Sequence, residues 1–252
     1  MTLYEAIEKR RSVRSFEKRT VERPVLERIE AYGRDVAGMF PDLEWKMELV
    51  PREDSLLRVV GPFKVRAPYY MIFWAAGEET EARQVGIAAE HIVLYMTAHG
   101  LGTCYQGAVR CTGAPEGMHQ IIAVAFGYAA QDLYRDPAQA KRKPDKEVFF
   151  LKEDISENMR TILRAVRLAP SSMNMQSTRF VVYRDRIHLF VPRRKNAAAR
   201  RYEHFQAGIT EAHIMLAAEE LWLDGSFTQN TSMADLELKN SEYAESFLLS
   251  QQ

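Results

Sequence analysis

The sequence predicts an α+β chain built from two related halves. Three features predict it. Short apolar runs such as Tyr69–Ala76 and Ile121–Tyr128 read as buried strands. Two long, mostly apolar segments, Ala82–His99 and Arg201–Leu223, lack proline and are too long for strands, so they read as buried helices. These two segments also match each other: Gln84–Leu94 (QVGIAAEHIVL) and Gln206–Leu216 (QAGITEAHIML) share six of eleven residues at a constant offset of 122.

The elements follow in order. Thr2 and Glu5 have capping-box spacing ahead of the apolar stripe Leu3, Ala6, Ile7, so the chain opens on a helix. Pro24 suits the first turn of a second helix running to about Ala37. Trp45–Val50 alternates like a strand, and Gly100 and Gly102 stop the first long helix. Asp132–Lys146 is a polar connector with two prolines and the basic run Lys141, Arg142, Lys143, Pro144. The pattern then restarts. Ser156 caps a helix over Asp154–Ala169, and Arg179–Tyr183 and Ile187–Val191 form a hairpin around Arg184-Asp185. Ile29 precedes Met47 by 18 residues, and Ile162 precedes Phe180 by 18, so helix-to-strand spacing repeats too. The tail from Ser232 is polar, with an apolar stripe at Tyr243, Phe247 and Leu248 that suits a docked helix or a loose end. The expected halves are residues 1–150 and 151–252, packed as one intertwined pseudo-two-fold unit.

Composition bounds the function. Lys+Arg and Asp+Glu are 34 each among 252 residues, which argues against a wholly basic nucleic-acid or lipid-surface binder. No apolar run approaches the roughly 20 residues that span a bilayer, and the amphipathic N-terminus has no signal core. Cys104 and Cys111 alone, without Cys or His partners at ligand spacing, fit reduced thiols in a cytoplasm and no metal site.

Four stretches hold candidate chemistry. Arg10, Arg11, Ser12 and Arg14 put three guanidiniums and a hydroxyl within five residues, which suits either a phosphate clamp or a solvated helix end. Ala169–Gln176 (APSSMNMQ) offers hydroxyls, amides and backbone N–H groups, or is a plain turn. Gly100–Val109 (GLGTCYQGAV) has three glycines that permit close backbone approach, without dinucleotide-fingerprint spacing. Lys141–Lys143 becomes part of a site only if it folds back beside Arg10. His91 and His213 occupy matched helix positions and read as satisfied core histidines; Tyr69, Tyr70, Phe73 and Trp74 read as core.

Together, Tyr4–Phe16 (YEAIEKRRSVRSF), Ala169–Tyr183, Gln84–Gly107, Ala123–Tyr128 (AVAFGY) and Lys141–Pro144 resemble the nitroreductase family of FMN-dependent oxidoreductases. The resemblance covers most of residues 3–230, is weak in Pro51–Val65 and absent in the tail. It implies a nitroreductase-like fold: a central, mostly antiparallel sheet flanked by helices. Ordinary members carry each motif once and pair as homodimers with an FMN in each interface site. This chain keeps RRSVR only in its first half, where VAGMFPDLE (Val36–Glu44) replaces the loop, and APSSMNMQ only in its second. The resemblance is therefore closest to a duplicated single-chain branch, with one FMN per chain and a monomer favoured over a homodimer.

By the same resemblance, Arg10, Ser12 and Arg14 grip the phosphate and ribityl chain, with Arg11 contributing side chain or backbone. Arg142 is a further phosphate cation. Pro170, Ser171 and Ser172 reach the flavin from the second half with Asn174 nearby, and the backbone of Gln106, Gly107, Ala108 and Val109 passes the ring's reactive edge. No catalytic side chain is expected, because hydride passes from NADH or NADPH through FMN to a small organic acceptor such as a nitroaromatic or quinone. The alternatives are a non-catalytic flavin-binding protein, a dehalogenase or a flavin-degrading member of the same fold.

Overall fold

The first turn of the chain closes as a capping box. Glu5 N donates to Thr2 Oγ1 and Thr2 N to Glu5 Oε2, which starts α1 (Leu3–Lys9). The computed structural model describes residues 1–59, 64–229 and 238–250. Then come α2 (Arg23–Ala37) with Pro24 in its first turn, β1 (Trp45–Pro51), β2 (Leu57–Val59), β3 (Tyr69–Ala75), α3 (Glu79–Ala98), β4 (Gly102–Gln106), β5 (Val109–Cys111) and β6 (His119–Gly127). A 3-10 turn (Pro137–Gln139) and α4 (Asp145–Val148) lead to β7 (Phe149–Leu151). The second half has α5 (Glu157–Leu168), β8 (Arg179–Val182), β9 (Arg186–Pro192), α6 (Ala197–Glu220), β10 (Gly225–Thr228) and β11 (Ser241–Leu249).

The strands form two principal sheets, not one central sheet. The first has the order β1-β3-β6-β4, antiparallel throughout. The second has the order β10-β11-β9-β8-β7, antiparallel except for the parallel pair β7–β8. β2 and β5 make a separate ribbon. Setting α2-β1-β3-α3-β4-β6 over α5-β8-β9-α6-β10-β11 reproduces element order, strand order and strand direction.

Between the sheets α3 and α6 cross, and glycine permits the contact. A Cβ on Gly86 would overlap the carbonyl oxygen of Phe205 and sit 3.1 Å from Gly208 Cα. A Cβ on Gly208 would overlap the carbonyl oxygen of Arg83 and sit 3.0 Å from Gly86 Cα. Phe205 follows Arg83 by the same 122 residues that separate the glycines, so each backbone touches the other at equivalent points.

Two of the local expectations change. GLGTCYQGAV is mostly strand: β4 and β5 occupy it, and Gly102 packs against Val13, whose Cγ2 would lie 2.8 Å from an added Cβ. That glycine admits a neighbouring chain segment. The apolar stripe of the tail is neither helix nor loose end, since β11 lies between β10 and β9 with a bulge between Tyr243 and Glu245, while residues 232–237 and 251–252 of the tail lie outside the described residues. Part of Pro51–Lys64 is β2, and residues 60–63 of that stretch lie outside the described residues. The expected aromatic core is present: Tyr70, Phe73 and Trp74 are fully buried.

Candidate functional site

The segment after α1 runs beside β4. Ser12 pairs with Thr103 in a parallel bridge, and Val13 N donates to Thr103 O at 2.9 Å. The connector folds back against the same segment. Arg10 bridges Tyr134, and Arg135 N donates to Lys9 O at 2.9 Å. This collects guanidiniums. The charges of Arg10 and Arg11 and, above all, burial lower the Arg135 pKa. Burial, then Arg135, Arg10 and Arg167, bring Arg142 down to about 10. Arg10 is 5% exposed, and its only ion pair among the described residues is with Glu90, Nε to Oε1 at 3.8 Å. Ser12, Arg10 and Arg14 also lie against Cys104, whose thiol burial pushes up while the two arginines pull it down.

Glu90 is completely buried and ties the two halves together. Tyr105 donates its hydroxyl to Glu90 Oε2 at 2.7 Å, and His213 Nε2 lies 3.0 Å from Oε1. His213 Nδ1 lies 2.8 Å from the Ala165 carbonyl, an acceptor only, so this nitrogen carries a proton. Burial and Glu90 hold Tyr105 protonated, well above its ordinary pKa. His213 is thus the satisfied core histidine its sequence position suggested. His91 differs: its Nε2 is buried without a partner, and burial lowers the ring to about 4.

The loop from the second half meets this surface. Its backbone is bent through left-handed positions at Met173, Asn174 and Gln176, a costly conformation for non-glycine residues. Surrounding bonds hold it there. Ser172 N donates to Gln206 Oε1 at 2.7 Å, and Gln176 N to Ser171 Oγ at 2.9 Å. Gln206 leans on Glu203, which also takes Ser177 and Arg194. Asn174 accepts from Arg142 NH1 at 3.1 Å and donates to Lys141 O at 2.9 Å; Lys143 N donates to Gln176 Oε1 at 2.8 Å. The amides of Asn174 and Gln176 therefore clasp the connector. Tyr202, on α6, stands beside the Ser172 side chain, and its hydroxyl sits 3.9 Å from where a Gly107 Cβ would be.

Between β4 and β5, the side chains of Gln106 and Val109 point inward. Gln106 Oε1 accepts from Val65 N at 3.0 Å, and Val109 is fully buried. Exposed Gly107 and half-buried Ala108 leave their backbone at the surface. Pro170 lines a small cleft with Ser171, Gln206 and Thr210. The structure thus brings the basic segment, the connector, the Gly107 turn and the second-half loop onto one surface. Sequence reading missed Glu90, Arg135, Tyr202, Glu203 and Gln206. Only Gln206 carried a signal, as the repeated Gln of the two matching helices.

The family model described as "Putative TM nitroreductase" matches residues 2–218. The chain belongs to this nitroreductase family. Its fold is similar to that of a Thermotoga maritima protein of the same description, with TM-score 0.67, 22% identity, and coverage of 99% of this chain and 93% of that one. A nitroreductase family protein from Clostridium novyi NT overlaps 53% of this chain and 90% of its own, at 22% identity and TM-score 0.43. An FMN-dependent nitroreductase from Clostridium difficile R20291 overlaps 57% and 96%, at 21% identity and TM-score 0.42. No curated protein matches the chain in sequence. Among the described residues, no helix is long and apolar enough to cross a membrane.

Proposed function

We propose that this nitroreductase-family chain is an FMN-dependent oxidoreductase that moves hydride from NADH or NADPH to a small organic acceptor such as a nitroaromatic or quinone. The observation that carries the reading is the convergence of an anion-deficient arginine cluster with the Gly107 turn and the Ser172 loop. Arg10 and Arg11 act on Arg135, and Arg135 and Arg10 on Arg142, with Glu90 the carboxylate that pairs with Arg10. Arg135 Nε and Thr103 Oγ1 are buried without hydrogen-bond partners among the described residues. Such a cluster suits a phosphate, which accepts several N–H bonds and offsets the crowded charge.

In this reading Arg10, Arg11, Ser12 and Arg14 hold the phosphate and ribityl end. Pro170, Ser171 and Ser172 and the backbone of Gln106–Val109 flank the ring. Bound FMN supplies the two-electron chemistry, accepting hydride at its N5. The protein's part is to bind, orient and exclude water; Arg14 adds positive charge that favours a reduced, anionic ring. The topological match of the halves supports reading residues 1–150 and 151–252 as fused repeats that complete one site in a monomer. Free Cys104 and Cys111 suit a reducing cytoplasm.

The test is a visible-absorption titration of the purified chain with FMN. One FMN per chain, bleached by NADH or NADPH and reoxidised by a quinone, is expected. No binding removes the reading, two per chain removes the one-site architecture, and binding without bleaching leaves a flavin carrier instead of an enzyme.

A further inference from the structure

Two arginines of the connector stand beside Arg10, and they are not equivalent. Arg142 spends most of its fork inside the protein. Its Nε donates to Arg167 O, NH2 to Leu168 O at 2.8 Å, and NH1 to Lys141 O at 3.0 Å and Asn174 Oδ1 at 3.1 Å. Arg167 and Leu168 end α5, whose last carbonyls lack intrahelical donors, so Arg142 acts as the cap of that helix. Four of its five N–H groups are used, leaving one.

Arg135 is the opposite case. It makes no ion pair among the described residues, and its Nε is buried without a partner. Backbone pairing on both sides nevertheless fixes where it stands: Arg10 bridges Tyr134, and Arg135 N donates to Lys9 O. A half-buried guanidinium held against Arg10 and Arg11 without a carboxylate is destabilised unless an anion joins it.

Resting on the flavin reading above, we propose that Arg135, and not Arg142, supplies the connector's guanidinium to the phosphate monoester of the cofactor. Arg142 is then a positioning residue that fastens the Ser171–Gln176 loop to the connector. The site accordingly prefers a flavin carrying a terminal phosphate over one lacking it, and Arg135 carries a large share of that preference.

The experiment compares dissociation constants of FMN and riboflavin, which differ only by that phosphate, from flavin fluorescence. Wild-type chain, Arg135→Gln, Arg135→Lys and Arg142→Gln are titrated under identical salt. Arg135→Gln is expected to weaken FMN about tenfold or more, the range for a lost charge-assisted hydrogen bond, and to leave riboflavin within about twofold. Arg135→Lys keeps the charge without the fork and falls between; it carries the test should Arg135→Gln fail to fold. Arg142→Gln is expected to lower the melting temperature and weaken both flavins alike. Inorganic phosphate, added without flavin, should raise the melting temperature of wild type more than that of Arg135→Gln. The proposal is overturned by an unchanged FMN-to-riboflavin ratio in Arg135→Gln, or by a ratio that collapses in Arg142→Gln instead. If wild type binds neither flavin, the flavin reading fails, and the phosphate shift still decides whether Arg135 holds an anion.

Discussion

Replacing Gly208 by alanine sets two effects of opposite sign against each other. Alanine is the better helix former by about 1 kcal/mol in a helix interior, so propensity alone predicts a more stable protein. Packing predicts the reverse. The new Cβ would stand 2.9 Å from the carbonyl carbon of Arg83 and 3.0 Å from Gly86 Cα, besides overlapping the Arg83 oxygen. These neighbours are backbone and cannot rotate away. Relieving the overlap with the Arg83 oxygen requires α3 and α6 to part by more than about 1 Å at the crossing, and even a gap of about 0.5–1 Å forfeits a quarter to a half of each dispersion well nearby. Overpacking of this kind costs about 1–3 kcal/mol or more. Because the clash is with backbone in the longest buried interface, we place it at the top of that range. The net expectation is a loss of about 2–3 kcal/mol, or roughly 4–12 °C in melting temperature for a chain of this size. Thermal melts by circular dichroism of Gly208→Ala and Gly86→Ala measure it. Gly107→Ala is the control, since its nearest atom would be the Tyr202 hydroxyl at 3.9 Å. A melting temperature for Gly208→Ala equal to or above wild type would refute the close crossing.

Two further changes probe other layers. Burial, partly offset by Arg83, raises the Glu211 carboxyl from 4.5 to about 8. The folded chain therefore keeps a proton that the unfolded chain releases, and stability falls as pH rises across that window, by no more than about 5 kcal/mol. Glu211→Gln should reduce the fall and raise stability at pH 8; melts from pH 5 to 9 that stay parallel to wild type would exclude Glu211 as a source. Ser156 Oγ accepts from Met159 N at 3.2 Å at the start of α5. Ser156→Ala should cost about 1 kcal/mol by denaturant titration, without altering flavin affinity, because the cap lies at the end of α5 opposite the loop.

Local signals made the helices legible. The Thr2–Glu5 box, Pro24 and Ser156 mark starts that depend on neighbours three residues away, and the structure has each of them. The repeated glycine pointed to a related pair of helices, though not to the reason, which is backbone contact across the crossing. What stayed hidden depends on distant partners. β11 was misread because Tyr243, Phe247 and Leu248 have helical spacing, while its pairing with Arg186–Pro192 joins residues about 50 to 60 apart and a bulge breaks the alternation. β4 was misread because Gly102 looks like a loop residue until Val13 is seen against it. In the site, the basic segment and the APSSMNMQ loop were visible as residue clusters. Glu90, Arg135 and Tyr202 were not, because an isolated acid, arginine or tyrosine acquires its role only from what the fold sets beside it.

The helix pair also explains how two similar halves can present one polar surface. Positions 122 residues apart have matching backbones and different work. Glu81 caps its own helix by accepting from Glu78 N, whereas Glu203 takes Ser177, Arg194 and Gln206 and so supports the loop. Phe205 packs edge-on against Tyr105, whereas Arg83 is buried with Glu211 and Glu245. His213 joins Glu90 to the Ala165 carbonyl, whereas the Nε2 of His91 has no hydrogen-bond partner among the described residues. The crossing requires only that Gly86 and Gly208 stay small, which leaves the flanking positions free to diverge. On the side of the Ser172 loop and Arg10, Glu203 holds the Gln206 that the loop leans on, His213 holds the Glu90 that pairs with Arg10, and Phe205 packs against the Tyr105 that bonds Glu90. Their counterparts instead close a helix end, bury a charge or stay unpaired. A backbone that repeats its strand order and helix order therefore carries a polar network of one-sided form, and that network ends at the Arg10 cluster.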